Sequence, residues 1–149
     1  MNLVILGSAR KESTTERALL DLSPFKDYEL VELMDHRVEP YSYEHSYSDT
    51  DEFLNIALKL KVAQNIIFAT PVYWYSMSGL MKNFFDRLTD LLFEHKNIGR
   101  ALEGKDTYLI STGSDDSLPL GFETPFSLTS KYFGMNYKGS FYLSSGEKK

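Results

Sequence analysis

The chain contains no cysteine, which rules out disulfides, thiolate metal centres and thiol catalysis. Histidine is scarce: His36, His45 and His95 are spread along the sequence without metal-ligand spacing, so they read as surface or loop residues. No apolar run approaches the ~20 residues needed to cross a bilayer. The N-terminal run Leu3-Val4-Ile5-Leu6 is too short for a signal peptide and has no basic segment before it. Positive charge is also in deficit. A formal net charge of -5 argues against nucleic acid as a partner, because phosphate backbones demand clustered cations, and against anionic membrane surfaces. The expectation is a single cytoplasmic domain over residues 1–149. Its hydrophobic share of 42% is enough to build a core.

Apolar runs alternate with helical patterns. Leu3–Leu6 and Ile66–Ala69 read as strands buried on both faces, and Thr107–Ser111 as a further strand. Tyr28–Leu33 alternates in polarity and suits a strand nearer an edge, and Tyr137–Leu143 is a fifth. Between them lie helices predicted over Thr14–Leu22, Phe53–Ala63, Ser78–Phe93 and from Thr124-Pro125 to Gly134. Asp49 and Glu52 have the spacing of a capping box before the second helix. The acidic run Asp49-x-Asp51-Glu52 and the pair Asp115-Asp116 lack calcium-loop spacing and read as capping and solvation. The strand–helix alternation predicts a doubly wound parallel α/β sheet with helices on both faces. In the strand order 2-1-3-4-5 the ligand belongs beyond the carboxyl ends of the first and third strands.

The loops at that point carry suitable chemistry. Gly7-Ser8-Ala9-Arg10-Lys11-Glu12-Ser13-Thr14-Thr15 offers four hydroxyls, two cations and the N-terminus of a helix, which together suit a phosphomonoester. It is neither a P-loop nor the G-x-G-x-x-G of dinucleotide folds. An ordinary strand–helix turn with a hydroxyl cap is the plainer reading. After the third strand, Pro71-Val72-Tyr73-Trp74-Tyr75 puts three adjacent aromatics in a loop, which suits a planar ring ligand or a subunit interface. A long polar, aromatic loop over Asp35–Asp49 suggests function or contact with a partner. Lys82 and Asp86 stand four apart on the third helix, as an exposed ion pair would.

Gly7-Ser8-x-Arg10-x-x-Ser13-x-Thr15 resembles the FMN-phosphate loop of NAD(P)H-dependent FMN reductases, and the stretch from Pro71 to Arg87 is similar to their most characteristic segment. Ser111-Thr112-Gly113-Ser114 and Tyr132-Phe133-Gly134-Met135 follow the same pattern. The resemblance implies a flavodoxin-like fold, FMN as prosthetic group and NAD(P)H as electron donor. It implies a homodimer or homotetramer with each flavin near a subunit boundary. Carried over by position, Ser8, Arg10, Ser13, Thr14 and Thr15 would hold the phosphate. Pro71, Val72, Tyr73 and Trp74 would flank the isoalloxazine, and Thr112, Gly113 and Ser114 would close its other side. The cofactor would carry the redox chemistry, so no acid or base side chain is expected to be essential. Two electrons would pass to a small-molecule acceptor such as a quinone, flavin, azo or nitro compound. A flavodoxin-type electron carrier and a flavin-free binding module are the alternatives. Two departures stand out. The loop Val38-Glu39-Pro40-Tyr41-Ser42-Tyr43 lacks the cysteines that relatives often carry, and the helix that usually follows the fifth strand is expected to be missing.

Overall fold

A computed structural model describes residues 1–146; Glu147–Lys149, at the end where the helix after the fifth strand is expected to be missing, lie outside the described residues. Five strands form one parallel sheet: β1 (Asn2–Leu6), β2 (Glu29–Glu32), β3 (Asn65–Pro71), β4 (Asp106–Gly113) and β5 (Asn136–Ser144). Their spatial order is β2-β1-β3-β4-β5, as expected from the alternation. β2 is an edge strand, which accounts for its mixed polarity. Five α-helices connect the strands: α1 (Thr14–Leu22), α2 (Phe53–Val62), α3 (Gly79–Arg87), α4 (Lys96–Ala101) and α5 (Thr124–Tyr132).

The pleat divides the core in two. Leu3, Ile5, Ile66, Phe68 and Leu109 point to one face, where α2 to α5 cover them with Phe53, Ile56, Met81, Phe84 and Phe126. Val4, Leu6, Ile67, Ala69 and Ile110 point to the other, where Leu19 of α1 packs on them. Helices therefore lie on both faces, but unevenly. By register Phe141 and Leu143 stand beside Ile110 and Thr112 on the α1 side. Each is 38% exposed, and among the described residues no helix follows β5 to shield them.

Some local expectations differ from the structure. The helix predicted over Ser78–Phe93 stops at Arg87 and continues as a 3-10 turn over Leu88–Leu92 before the separate α4. The capping box does not form. The Glu52 carboxylate accepts from the Arg37 N–H at 2.6 Å, and Glu52 makes no side-chain cap on α2. Nor is Asp51 solvated: its side chain is only 8% exposed and pairs with Arg87. Thr124 lies inside α5, whose cap is Glu123, with Pro125 in the first turn. The Lys82–Asp86 pair does form.

Candidate functional site

Three loops meet beyond the carboxyl ends of β1, β3 and β4. The first leaves β1 through Gly7, whose N–H donates to the Ala69 carbonyl at 2.8 Å. A Cβ at this position would come within 3.0 Å of both the Met81 Cβ and the Ser78 Oγ. The missing side chain thus lets the loop press against the start of α3. Ser8 is buried and Arg10 is exposed. Ser13 caps α1, its hydroxyl accepting from the Glu16 N–H at 3.1 Å. The Arg10 guanidinium reaches the Thr14 hydroxyl at 3.5 Å. Lys11 leans away, held by Glu32 at 2.9 Å and by Asp35. Thr15 points inward, and its hydroxyl meets that of Thr112 at 2.7 Å in a buried contact. This contact ties the N-terminus of α1 to the end of β4.

The second loop is a tight hairpin. Tyr73 and Ser76 pair across it, and both exchange backbone hydrogen bonds, at 2.9 and 3.2 Å. The two residues between them, Trp74 and Tyr75, have φ of 48° and 67°. Positive φ at both central positions is what a type I′ turn requires, a geometry that favours Asn-Gly. Side chains bearing a Cβ are strained there by about 1–2 kcal/mol per residue. Yet both rings are held outward: Trp74 is 89% exposed and Tyr75 69%. Behind the hairpin, Thr70 accepts from the Ser78 N–H at 3.0 Å, Ser78 caps α3 through the Met81 N–H at 3.1 Å, and Ser111 donates to the Thr70 carbonyl at 2.6 Å. These buried hydroxyls fix the loop's take-off from the sheet.

The third loop starts at Gly113. A Cβ there would lie 2.8 Å from the Tyr142 hydroxyl and 3.2 Å from the Val72 side chain. The Val72 N–H donates to the Thr112 carbonyl at 2.8 Å, and the Ser145 N–H to that of Gly113 at 2.7 Å. Between the hairpin and this loop opens a cleft of about 400 Å³. Val72, Trp74, Gly113 and Ser114, which the resemblance places around a ring, are among the residues that line it. Tyr75, Asp115, Asp116, Pro119 and Tyr142 line it as well. The Tyr142 hydroxyl donates to the Asp115 carbonyl at 2.7 Å, and burial, followed by the Asp115 and Asp116 carboxylates, pushes its phenol above the usual range.

Tyr142 was hidden from the sequence by a bulge. The β4–β5 register shifts between Thr107 and Leu109, at Gly139 with φ of 118°. The extra residue puts Tyr137 and Tyr142 on one face, although their numbering places them on opposite ones. An isolated glycine inside a strand pattern is the signal that could have revealed it. Of the other predicted residues, Tyr73 forms the base of the hairpin, Pro71 ends β3 and Thr112 faces Thr15. Ser8, Arg10, Ser13 and Thr14 lie apart from this cleft, in the loop before and the first turn of α1.

The arrangement pairs a hydroxyl-and-arginine cradle at a helix N-terminus with a neighbouring cleft walled by aromatics and lined at one side by Gly113. The donor set suits a phosphomonoester and the cleft a flat ring, so these residues fit FMN. YwqN of Bacillus subtilis (strain 168), assigned as an NAD(P)H-dependent FMN-containing oxidoreductase, is 32% identical over 106 residues, which cover 66% of this chain and 56% of that protein. The chain spans about half the length of the curated relatives it matches. Among solved structures, the Trp repressor binding protein from Bacillus subtilis superposes with a TM-score of 0.79 at 23% identity, covering 97% of this chain and 85% of that one. General stress protein 14 from Treponema denticola, solved in complex with FMN, gives 0.67 at 20% identity, covering 98% and 87%. The family model for NADPH-dependent FMN reductases matches residues 2–146, both the cradle and the aromatic loop included, and the chain therefore belongs to the NADPH-dependent FMN reductase family.

Proposed function

We propose that this chain binds FMN across the two loops and catalyses the transfer of two electrons from NADH or NADPH to a small acceptor of the quinone, flavin, azo or nitro class. One observation carries the reading. At the point where the sheet reverses its winding, a cradle of Ser8, Arg10, Ser13 and Thr14 stands beside an aromatic-walled cleft, and the two are tied together by the Thr15–Thr112 contact at 2.7 Å.

FMN, when bound, would supply the two-electron redox chemistry. The chain's own residues bind and orient. Arg10 and the hydroxyls of Ser8, Ser13 and Thr14 would hold the phosphate, aided by the dipole of α1. Backbone of the Val72–Trp74 segment and of Gly113-Ser114 would bracket the ring system. Gly7 and Gly113 set the packing behind these loops, since a Cβ at either would crowd Met81 and Ser78 or Tyr142 and Val72. Thr15 and Thr112 would act from behind, fixing the cradle relative to the ring site.

A homodimer or homotetramer belongs to the same reading, supported by the half-open Phe141 and Leu143 on β5 and by the exposed aromatics of the hairpin. A cytoplasmic location goes with it; among the described residues no helix is long and apolar enough to cross a membrane. The experiment is direct. Protein purified in the presence of FMN and then desalted is expected to keep the flavin's visible absorption and to lose it on anaerobic addition of NADH or NADPH. A colourless product, or a flavin that neither nucleotide bleaches, overturns the proposal.

A further inference from the structure

The hairpin keeps two large rings where the backbone disfavours them. Trp74 and Tyr75 occupy the left-handed positions of the turn while remaining 89% and 69% exposed. Burial in the core therefore does not offset the strain, and residues held in sparsely populated backbone regions concentrate at ligand sites. Both line the cleft. Across from them the same cleft is lined by Asp115 and Asp116, both exposed. No lysine, arginine or histidine is among the described residues lining it. The cations of the first loop are placed elsewhere: Lys11 is held by Glu32 and Asp35, and Arg10 reaches Thr14.

We propose that the mouth of the cleft, which a ring bound against Val72 and Gly113 would leave open, discriminates among acceptors by charge, taking planar aromatic molecules that are cationic or neutral and disfavouring anionic ones, with Trp74 and Tyr75 as the stacking surface and Asp115 and Asp116 as the filter. The inference deepens the reductase reading and rests on it. Indole and phenol faces attract flat cations through their quadrupoles, and two carboxylates reinforce that attraction while repelling a sulfonate or carboxylate. The raised phenol of Tyr142, driven by burial and then by these two carboxylates, reflects the same negative potential. At separations of several ångströms in a water-exposed cleft, the sign change from cation to anion is worth on the order of tenfold in affinity, shrinking as salt is added.

Trp74 is the sole tryptophan in the chain, so its fluorescence reports occupancy of the cleft independently of turnover. The FMN-loaded protein is titrated at low ionic strength with methylene blue as a flat cation, menadione as a neutral quinone and anthraquinone-2-sulfonate as a flat anion, with emission corrected for ligand absorbance. The expected order of Kd is cation tighter than anion by about tenfold. In the D115N/D116N variant, checked for retained FMN absorbance and far-UV circular dichroism, the cation should weaken, the anion should tighten and menadione should be unchanged. Equal binding of cation and anion in the original protein, or an order unaltered in the variant, overturns the inference. The same titration on flavin-free protein separates the two failures. Charge order without any flavin binding leaves the filter standing and the reductase reading lost; bound, nicotinamide-reducible flavin without charge order does the reverse.

Discussion

Arg87 is 2% exposed, and replacing it tests what holds the far end of α3. Its guanidinium donates to both oxygens of Asp51 at 2.8 Å, to Asp90 at 2.9 Å and to the Glu39 carbonyl at 2.9 Å, and lies over the Tyr47 ring at 3.4 Å. Asp51 and Asp90 are only 8% and 4% exposed. Arg87→Met keeps most of the aliphatic stem and removes the charge, leaving two buried carboxylates without their shared cation. Breaking a buried pair in this way costs about 3–5 kcal/mol, out of roughly 5–15 kcal/mol of total stability. The pH dependence is diagnostic. In the native protein burial works to raise the Asp51 pKa, but hydrogen bonds from Arg87 and the Glu39 N–H outweigh it and hold the carboxyl below its ordinary value. That contribution is fully present above the unfolded value of about 3.9 and is lost as pH falls through the depressed folded one. Without Arg87 the burial remains and the main opposing partner is gone, so the native variant binds a proton more readily than its unfolded chain. Its stability then falls as pH rises. Urea unfolding followed by far-UV circular dichroism should show the gap between the two proteins widest at about pH 7 and narrower at about pH 5. A gap under about 1 kcal/mol, or one that does not change with pH, would refute the reasoning.

Gly113→Ala places a methyl group 2.8 Å from the Tyr142 hydroxyl and should weaken FMN retention by about tenfold, measured by flavin fluorescence on dilution, with the fold intact. Arg10→Ala should weaken FMN by tenfold or more and leave riboflavin, which has no phosphate, nearly unaffected; equal losses for both would show that Arg10 does not serve the phosphate. Trp74→Asn combined with Tyr75→Gly supplies the pair the turn prefers, so thermal unfolding should show a gain of about 1–2 kcal/mol while Kd for planar ligands rises.

Wherever local pattern decides structure, the sequence was legible. Leu3–Leu6 and Ile66–Ala69 announce central strands because both of their faces are buried, and the hydroxyl cap of the plainer reading of the first loop is in use at Ser13. What escaped depends on partners distant in the chain. Asp51 looks like a capping residue until α3 brings Arg87 to it across 36 positions. The helix predicted as far as Phe93 ends earlier, where Asp90 turns inward to Arg87 at 2.9 Å while the His95 N–H bonds to its carbonyl at 3.0 Å. His45 reads as a loop residue and sits in a loop, yet its Nδ1 is 2.8 Å from Asp90. The hydroxyl-rich loop and the aromatic loop could be read from residue types; the tight hairpin could not, since Trp74-Tyr75 is not the pair such a turn favours, and nor could Tyr142 on the opposite wall, because a single bulge at Gly139 sets which face it occupies.

The stretch from Pro71 to Arg87 acts as one unit because of what α3 connects. At its N-terminus Ser78 caps the helix and fixes the aromatic hairpin through Thr70, and Met81 in the first turn crowds Gly7 of the cradle. At its C-terminus Arg87 clamps the polar, aromatic loop that precedes α2 through Asp51 and the Glu39 carbonyl, with Asn83 adding a bond to the Val38 carbonyl at 2.7 Å. A rigid nine-residue helix thus joins the cleft at one end to the anchor of the longest loop at the other. Substitutions near residue 87 would be felt first in that loop, and would reach the cleft only by shifting α3 as a body.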